Sequence, residues 1–122
     1  MKIVRGDIII VDFGQHEGTS LQSGIRPAVV VSNNKANYHS PIITVVPLSS
    51  KVNKKASLPT HIEVNICDCV GLERQSIALA EQVIAIDKNS IFSRSGFIKN
   101  LGVMSSITNA LQIQVGVYEN FN

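Results

Sequence analysis

The sequence predicts a mainly β protein, an antiparallel barrel or sandwich that ends in one helix. Short runs rich in isoleucine and valine recur through the first 90 residues, with polar or glycine-containing segments between them. After residue 100 the apolar residues recur every three or four positions, which is the period of a helix. The 122 residues contain no repeat and no linker rich in proline or glycine. We therefore expect a single domain over residues 1–122.

Six segments carry the strand pattern. Nearly continuous apolar runs indicate core strands, whereas alternation indicates a strand with one exposed face. Only the fourth segment alternates, with His61 and Glu63 on one face and Val64 on the other. The predicted strands cover residues 8–13, 28–32, 42–48, 60–66, 76–80 and 83–86.

The predicted helix covers residues 100–118. Its apolar residues fall on one stripe that we expect to pack on the strands. Asn100 precedes the stripe and is placed to cap the first turn, since asparagine is favoured at that position. The stripe consists of Leu101, Met104, Ile107, Leu111, Val115 and Tyr118.

Composition limits the classes of function that the chain can have. Hydrophobic residues make up 44% and charged residues 16%, which excludes a disordered chain. No apolar run is long enough to cross a membrane, and residues 1–7 lack the features of a signal peptide, so we expect a cytoplasmic protein without a membrane partner. The net charge of +2 is too small to identify a nucleic-acid-binding protein, so any site for a polyanion must be local.

The sequence gives no support for a metal or other cofactor. Cys67 and Cys69 are interpreted as free thiols rather than as a redox or metal pair, because no further cysteine or histidine stands at ligand spacing. The motifs of ATP-binding loops and zinc proteases are also absent. His16, His39 and His61 are scattered, and each fits an ordinary surface histidine.

Two long connections stand out. Residues 14–25 contain three glycines and exceed the usual hairpin loop, so we expect this segment to be mobile and able to act as a lid. Residues 49–58 hold the densest positive cluster, Lys51, Lys54 and Lys55. A solvated hairpin with lysines that protect a sheet edge explains that cluster equally well.

Arg26 lies where the first long connection meets a valine-rich strand. Pro27 restricts the backbone beside it, and a guanidinium held in this way can be aimed at a phosphate. Charged residues are also common at the surface ends of strands. The segment alone leaves both interpretations open.

Five blocks in order resemble the MazF/PemK toxins of bacterial toxin–antitoxin systems. Each block is weak by itself, but together they extend over about residues 3–118. The fourth block is similar to the branch found in Gram-positive bacteria. The blocks are RGDI at 5–8, GIRPAVVVSN at 24–33, VPLSS at 46–50, LPTHIEV at 58–64 and AEQVIAID at 80–87.

The resemblance implies a small, partly open antiparallel β-barrel with a C-terminal helix, a fold type shared with CcdB. It implies a homodimer that cleaves single-stranded RNA at a short sequence without a metal, and a cognate MazE-like antitoxin that covers the RNA groove. The alternatives are a CcdB-like toxin that binds DNA gyrase without cutting RNA and an inactive barrel that serves as an interaction module.

The resemblance also assigns catalytic residues. Arg26 falls on the family's catalytic arginine, and Ser49 falls where the family usually has a threonine. Serine keeps the hydroxyl group but lacks the methyl group that restricts rotation, so we expect weaker activity. In the first loop Leu21 stands where relatives commonly have glutamate, so only Gln22 can be carried over.

Sequence reasoning further predicts an RNA-contacting set around this pair. Its polar and basic members are expected to bind bases and phosphates, because the chain has no tryptophan and few other aromatic residues for stacking. No general base can be assigned. The predicted set is Gln22, Gly24, Asn33, Asn34, Ser50, Lys51, Lys54, Lys55 and Gln82.

Overall fold

A computed structural model describes residues 2–51 and 58–119. Within them the chain forms eight strands and two α-helices. The strands are β1 (Asp7–Asp12), β2 (Ile25–Val30), β3 (Ile42–Ser49), β4 (His61–Val64), β5 (Cys69–Val70), β6 (Ser76–Leu79), β7 (Ile84–Asp87) and β8 (Ile91–Ile98), and the helices are α1 (Asn34–His39) and α2 (Leu101–Gln114).

The strands form one strongly bent antiparallel sheet in the order β4-β6-β3-β2-β1-β8-β5, and β7 also pairs with β3. The long strand β3 divides its length between three neighbours, since it pairs with β7 at its start, β2 in its second half and β6 at its end. The ends of the path, β4 and β5, do not pair with each other. This arrangement confirms the predicted mainly β fold, a partly open antiparallel barrel with a C-terminal helix.

Apolar side chains form two cores, one on each side of the sheet. Successive side chains of a strand point to opposite faces, so Ile8 of β1 lies in the core beneath α2 while Ile9 and Val11 lie in the other. Burying both faces explains why β1, β2 and β3 appear as continuous apolar runs in the sequence.

All six predicted strands occur near their predicted positions, but β5, β8 and α1 were not anticipated. β8 is absent from the prediction because Ser93, Arg94, Ser95 and Gly96 interrupt its apolar pattern. It pairs with β1 through two register irregularities, and most of its side chains are exposed. Sequence periodicity does not report a bulged, exposed strand of this kind.

Helix α2 begins as predicted but buries a narrower face. The Asn100 side chain accepts a hydrogen bond from the Gly102 backbone N–H at 2.9 Å, which confirms its capping role. Met104, Ile107 and Ala110 form the buried face. The prediction was wrong for the ends of the stripe, since Leu101, Val115 and Tyr118 are 79%, 72% and 62% exposed.

The exposure of Leu101, Val115 and Tyr118 follows from their positions at the two ends of α2. Leu101 belongs to the first turn, before the helix reaches the core, and the regular helix ends at Gln114, so Val115 and Tyr118 follow in a turn. No helix in the described part of the chain is long and apolar enough to cross a membrane.

Candidate active site

The start of β2 and the end of β3 place the two predicted catalytic side chains in one groove. β2 and β3 are antiparallel, with Ala28 opposite Pro47, so the ends that carry Arg26 and Ser49 are neighbours. Both residues line a cavity of about 270 Å³ together with residues of the 14–25 connection. The cavity is lined by His16, Glu17, Thr19, Ser20, Leu21, Gln22, Ser23, Arg26, Ser49 and Lys51.

Arg26 is exposed and held by its own connection. Its Nε–H donates to the Ser23 carbonyl at 2.9 Å, which fixes the direction of the side chain. Within the described residues, no hydrogen bond or ion pair engages the two terminal amino groups. The guanidinium therefore keeps the pair of donors that binds two phosphate oxygens at once.

Ser49 ends β3 half-buried, opposite Ile77 of β6. Its Oγ accepts a hydrogen bond from the Lys51 backbone N–H at 3.2 Å. A hydroxyl that accepts one hydrogen bond can still donate its own proton to an anionic oxygen. The site thus offers one cation and one neutral donor on adjacent strands.

The connection over the groove is anchored by Gln82, which lies between β6 and β7. The Gln82 side-chain Oε1 accepts from the Gln22 backbone N–H at 2.8 Å, and its Nε2 donates to the Ser20 carbonyl at 3.1 Å. Both ends of the Gln82 amide are thus used on backbone groups. The predicted contact of Gln82 with substrate stays a prediction, and in the structure its side chain holds the segment that carries Gln22.

The base of the same connection is closed by Gly14 and Gly24. Gly24 N–H donates to the Gly14 carbonyl at 2.8 Å, and Phe13 N–H donates to the Gly24 carbonyl at 2.9 Å. Gly24 has a φ of +76°, and a Cβ there would meet nothing within 4 Å, so its backbone conformation rather than its space favours glycine. Gly24 therefore shapes the connection two residues before Arg26.

The structure does not bring Asn33 and Asn34 to this groove. They follow the far end of β2, where the Asn33 side chain caps α1 by accepting from Ala36 N–H at 2.9 Å. The Asn34 Oδ1 accepts from the Arg5 N–H at 2.6 Å. Both amides have local structural partners, so the structure does not support a place for them beside Arg26.

The remaining predicted residues divide between the groove and its surroundings. Lys51 lines the groove, and Ser50 lines a neighbouring cavity that also includes Arg26. Lys54 and Lys55 lie outside the described residues.

His16 and Glu17 line the groove although sequence reasoning did not select them. His16 Nε2 lies 2.8 Å from the Phe13 carbonyl, a contact that requires the proton on Nε2. The only sequence signal for these two residues is their place in the connection that leads to Arg26. His61, in contrast, pairs with Glu81, with 2.6 Å between Nε2 and Oε2.

The two cysteines are unbridged, as expected. Cys67 is exposed, whereas Cys69 is buried. Burial, assisted by the neighbouring Asp68 carboxylate, raises the pKa of the Cys69 thiol to about 11. Across residues 2–51 and 58–119 no group of three or more His, Cys, Asp or Glu side chains could hold a metal ion.

Comparison with known proteins gives consistent matches. The model of a family described as PemK-like, MazF-like toxin of type II toxin-antitoxin system matches residues 4–115. Over 114 residues the chain is 32% identical to a protein named Endoribonuclease MazF from Staphylococcus saprophyticus, which covers 93% of this chain and 92% of that protein.

Solved structures share the fold. MazF from Deinococcus radiodurans matches with a TM-score of 0.76 and 19% identity, over 95% of this chain and 98% of that chain. An endoribonuclease from mycobacterial species, solved in complex with its cognate antitoxin, matches with a TM-score of 0.71 and 23% identity over 94% of each chain. The family match over nearly the whole sequence confirms the resemblance, and the chain belongs to the PemK-like, MazF-like toxins of type II toxin–antitoxin systems.

Proposed function

We propose that this chain is a toxin endoribonuclease that cleaves single-stranded RNA, including mRNA, with Arg26 and Ser49 as its catalytic pair. The observation that carries the proposal is the shared groove, a single cavity whose lining includes both Arg26 and Ser49. Membership in the family and the similarity to a protein named as an endoribonuclease support the same activity.

The reaction uses the nucleophile that RNA itself carries. The 2′-OH attacks the adjacent phosphorus, the bond from phosphorus to the 5′ oxygen breaks, and the products are a 2′,3′-cyclic phosphate and a 5′-OH. The proton of the 2′-OH leaves and a proton is gained by the departing 5′ oxygen. Negative charge grows on the non-bridging oxygens in this step, so positioning and charge stabilisation suffice without a metal.

Arg26 stabilises that growing charge. Its terminal amino groups bind the non-bridging oxygens, and the Ser23 carbonyl holds the side chain in place before substrate arrives. Ser49 has an ordinary hydroxyl, a poor base, so its role is to donate a hydrogen bond to the phosphate. Lys51 and Gln22 line the same cavity, and in the proposal they contact the neighbouring nucleotides.

We extend the proposal to the biological setting of the activity. The toxin acts as a homodimer in the cytoplasm, where mRNA is available, and residues 1–122 form one toxin domain. Because a similar endoribonuclease is solved with its cognate antitoxin, the partner of this chain is an antitoxin of the MazE type that blocks access to the RNA groove.

The proposal is tested by incubating a long single-stranded RNA with purified protein in EDTA and mapping the new 5′ ends. The wild type is expected to cut at one short motif, and Arg26→Ala to lower the rate by about 10²- to 10³-fold, the usual effect of losing one preorganised charge-stabilising donor. Lys35→Ala removes an exposed charge of the same sign on α1 and is the matched control.

Cleavage by Arg26→Ala at the rate of wild type and of Lys35→Ala would refute the role of Arg26. An absence of motif-specific cleavage by the wild type, combined with inhibition of DNA gyrase, would favour the gyrase-binding alternative.

A further inference from the structure

A second cavity, of about 370 Å³, also has Arg26 in its lining. Arg26 is the residue that lines both cavities, so a ligand there would touch the group that binds the reacting phosphate. The second cavity is lined by Ile8, Ile10, Arg26, Pro27, Leu48, Ser50, Gly71, Leu72, Glu73, Arg74, Ser76 and Ser95. We call this space the turn cavity, because the β5–β6 turn (residues 71–75) forms one of its walls.

The lining suits a molecule that has both apolar and polar surfaces. Five of its residues have apolar side chains, and six others supply three hydroxyl groups, one carboxylate and two guanidinium groups. A cavity of this size, with an apolar surface and a few convergent polar groups, has the general composition of a small-ligand site. An unpaired nucleobase has apolar faces and a polar edge, so its chemistry matches this lining. The apolar members are Ile8, Ile10, Pro27, Leu48 and Leu72.

The β5–β6 turn is fixed by direct contact between two backbones. A Cβ added to Gly71 would lie 2.1 Å from the Ser95 carbonyl oxygen, and one added to Gly96 would lie 1.8 Å from the Val70 carbonyl oxygen. The turn therefore packs against β8 with no room for a side chain. This contact fixes the start of the turn that carries Glu73 and Arg74.

A hydrogen bond holds the other end of the turn. The buried Ser76 Oγ–H donates to the Arg74 carbonyl at 2.9 Å, which fixes the backbone of that residue. The side chains of Glu73 and Arg74 are exposed on the cavity wall, and no hydrogen bond or ion pair within the described residues engages either one. Both charges are available to a ligand.

We propose that the turn cavity binds the nucleobase next to the cleaved bond, with Glu73 reading the base edge and Arg74 binding the flanking phosphate. The inference rests on the proposed function, since its ligand is the single-stranded RNA substrate. A carboxylate accepts hydrogen bonds from the amino group of a base and rejects a base that presents only acceptors there. Arg74 supplies a second phosphate contact beyond Arg26, which carries no sequence information.

The test compares Glu73→Gln and Arg74→Ala with wild type on an RNA library randomised around the cleaved motif. Glu73→Gln keeps the shape of the side chain but adds an amide donor, so the preference at one position next to the cut should fall by about tenfold or change to another base. Arg74→Ala should raise KM for all sequences and reduce the salt dependence of binding, with the motif unchanged.

Glu63→Gln and Lys35→Ala are the matched controls, because they change exposed charges on β4 and α1 outside both cavities. Binding of an RNA that carries 2′-O-methyl groups and cannot be cleaved gives a second readout, and melting temperatures show whether each variant is folded.

Folded Glu73→Gln and Arg74→Ala variants with the motif, KM and salt dependence of wild type would overturn the inference. In that case the proposed function stands as long as Arg26→Ala loses cleavage. If Arg26→Ala also cleaves like wild type, the proposed function fails separately.

Discussion

A serine hydroxyl ends β3 in the groove, at a position where the family resemblance leads us to expect threonine. The half-buried Ser49 Oγ is held by one hydrogen bond from the Lys51 N–H at 3.2 Å. Serine samples more side-chain rotamers than threonine, whose branched Cβ restricts rotation. In the role proposed for it, the Ser49 hydroxyl therefore spends part of its time turned away from the phosphate.

The difference between serine and threonine predicts the relative single-turnover cleavage rates of Ser49→Thr, wild type and Ser49→Ala. Ser49→Thr should cut at least as fast as wild type, because the added methyl group limits the hydroxyl to fewer orientations. Ser49→Ala should be about tenfold slower, as expected for the loss of one hydrogen bond of about 1.4 kcal/mol. If Ser49→Ala cuts at the wild-type rate, the hydroxyl takes no part in the reaction.

Among the elements, the β5–β8 pair depends on two glycines in contact. Gly71 has a φ of +83°, and a Cβ at this position would overlap the backbone carbonyl of Ser95 at 2.1 Å. Gly18 has a similar φ of +79° but nothing within 4 Å of the same position. A comparison of alanine substitutions at Gly71 and Gly18 therefore separates the cost of the backbone conformation from the cost of steric crowding.

Gly71→Ala should lower the free energy of unfolding by about 1–3 kcal/mol more than Gly18→Ala does, the usual range for overpacking a filled site. Both variants bear the cost of about 1–2 kcal/mol for a left-handed backbone with a side chain. Urea unfolding of the two variants beside wild type measures the difference. Equal losses would show that the turn moves aside easily and that β8 does not fix it.

The junction between the segment before β5 and helix α2 depends on Asp68. Its carboxylate accepts from the Asn100 side-chain N–H at 2.9 Å and the Asn65 backbone N–H at 3.0 Å. Its carbonyl accepts from the N–H groups of Lys99 and Asn100. The hydrogen bonds from Asn100 and Asn65 lower the pKa of the Asp68 carboxyl group below its usual value.

Because the pKa of the Asp68 carboxyl group is lowered in the folded state, the direction in which pH changes the stability of the fold can be stated. The stabilisation by ionised Asp68 is complete above the pKa of the unfolded chain, about 3.9, and is lost as the pH falls through the lower folded pKa. Asp68→Asn should therefore melt below wild type at pH 7, and the gap should narrow as the pH falls below about 4. Melting temperatures across this range, with Glu63→Gln as an exposed control, check the prediction; a constant gap would contradict it.

For the whole molecule, the sequence predicts the buried parts best. Strands β1, β2 and β3 could be found because both of their faces are covered, so Ile and Val fill them without interruption. β8 could not, because its exposed Ser93 and Arg94 look like a loop. The stripe of α2 was recognised, but its period does not show where the helix leaves the core.

In the candidate site, too, the sequence predicts some features and not others. The pairing of β2 with β3 brings Arg26 and Ser49, the two residues that the family resemblance selected, to the lining of one groove, and their catalytic roles stay predictions. The anchoring role of Gln82 could not be found, because it depends on a hydrogen bond to Gln22, 60 residues away in sequence. The distance of Asn33 from the groove likewise depends on which end of β2 it follows.

The most direct test of the account is cleavage of a short RNA in EDTA that carries a single 2′-deoxynucleotide on the 5′ side of the cut bond. Attack by the RNA's own 2′-OH predicts that this substrate binds but is not cut, while the all-ribose RNA gives a 2′,3′-cyclic phosphate and a 5′-OH, each identified by mass spectrometry. Cleavage of the substituted RNA at the same bond, or a 5′-phosphate on the product, would contradict the account.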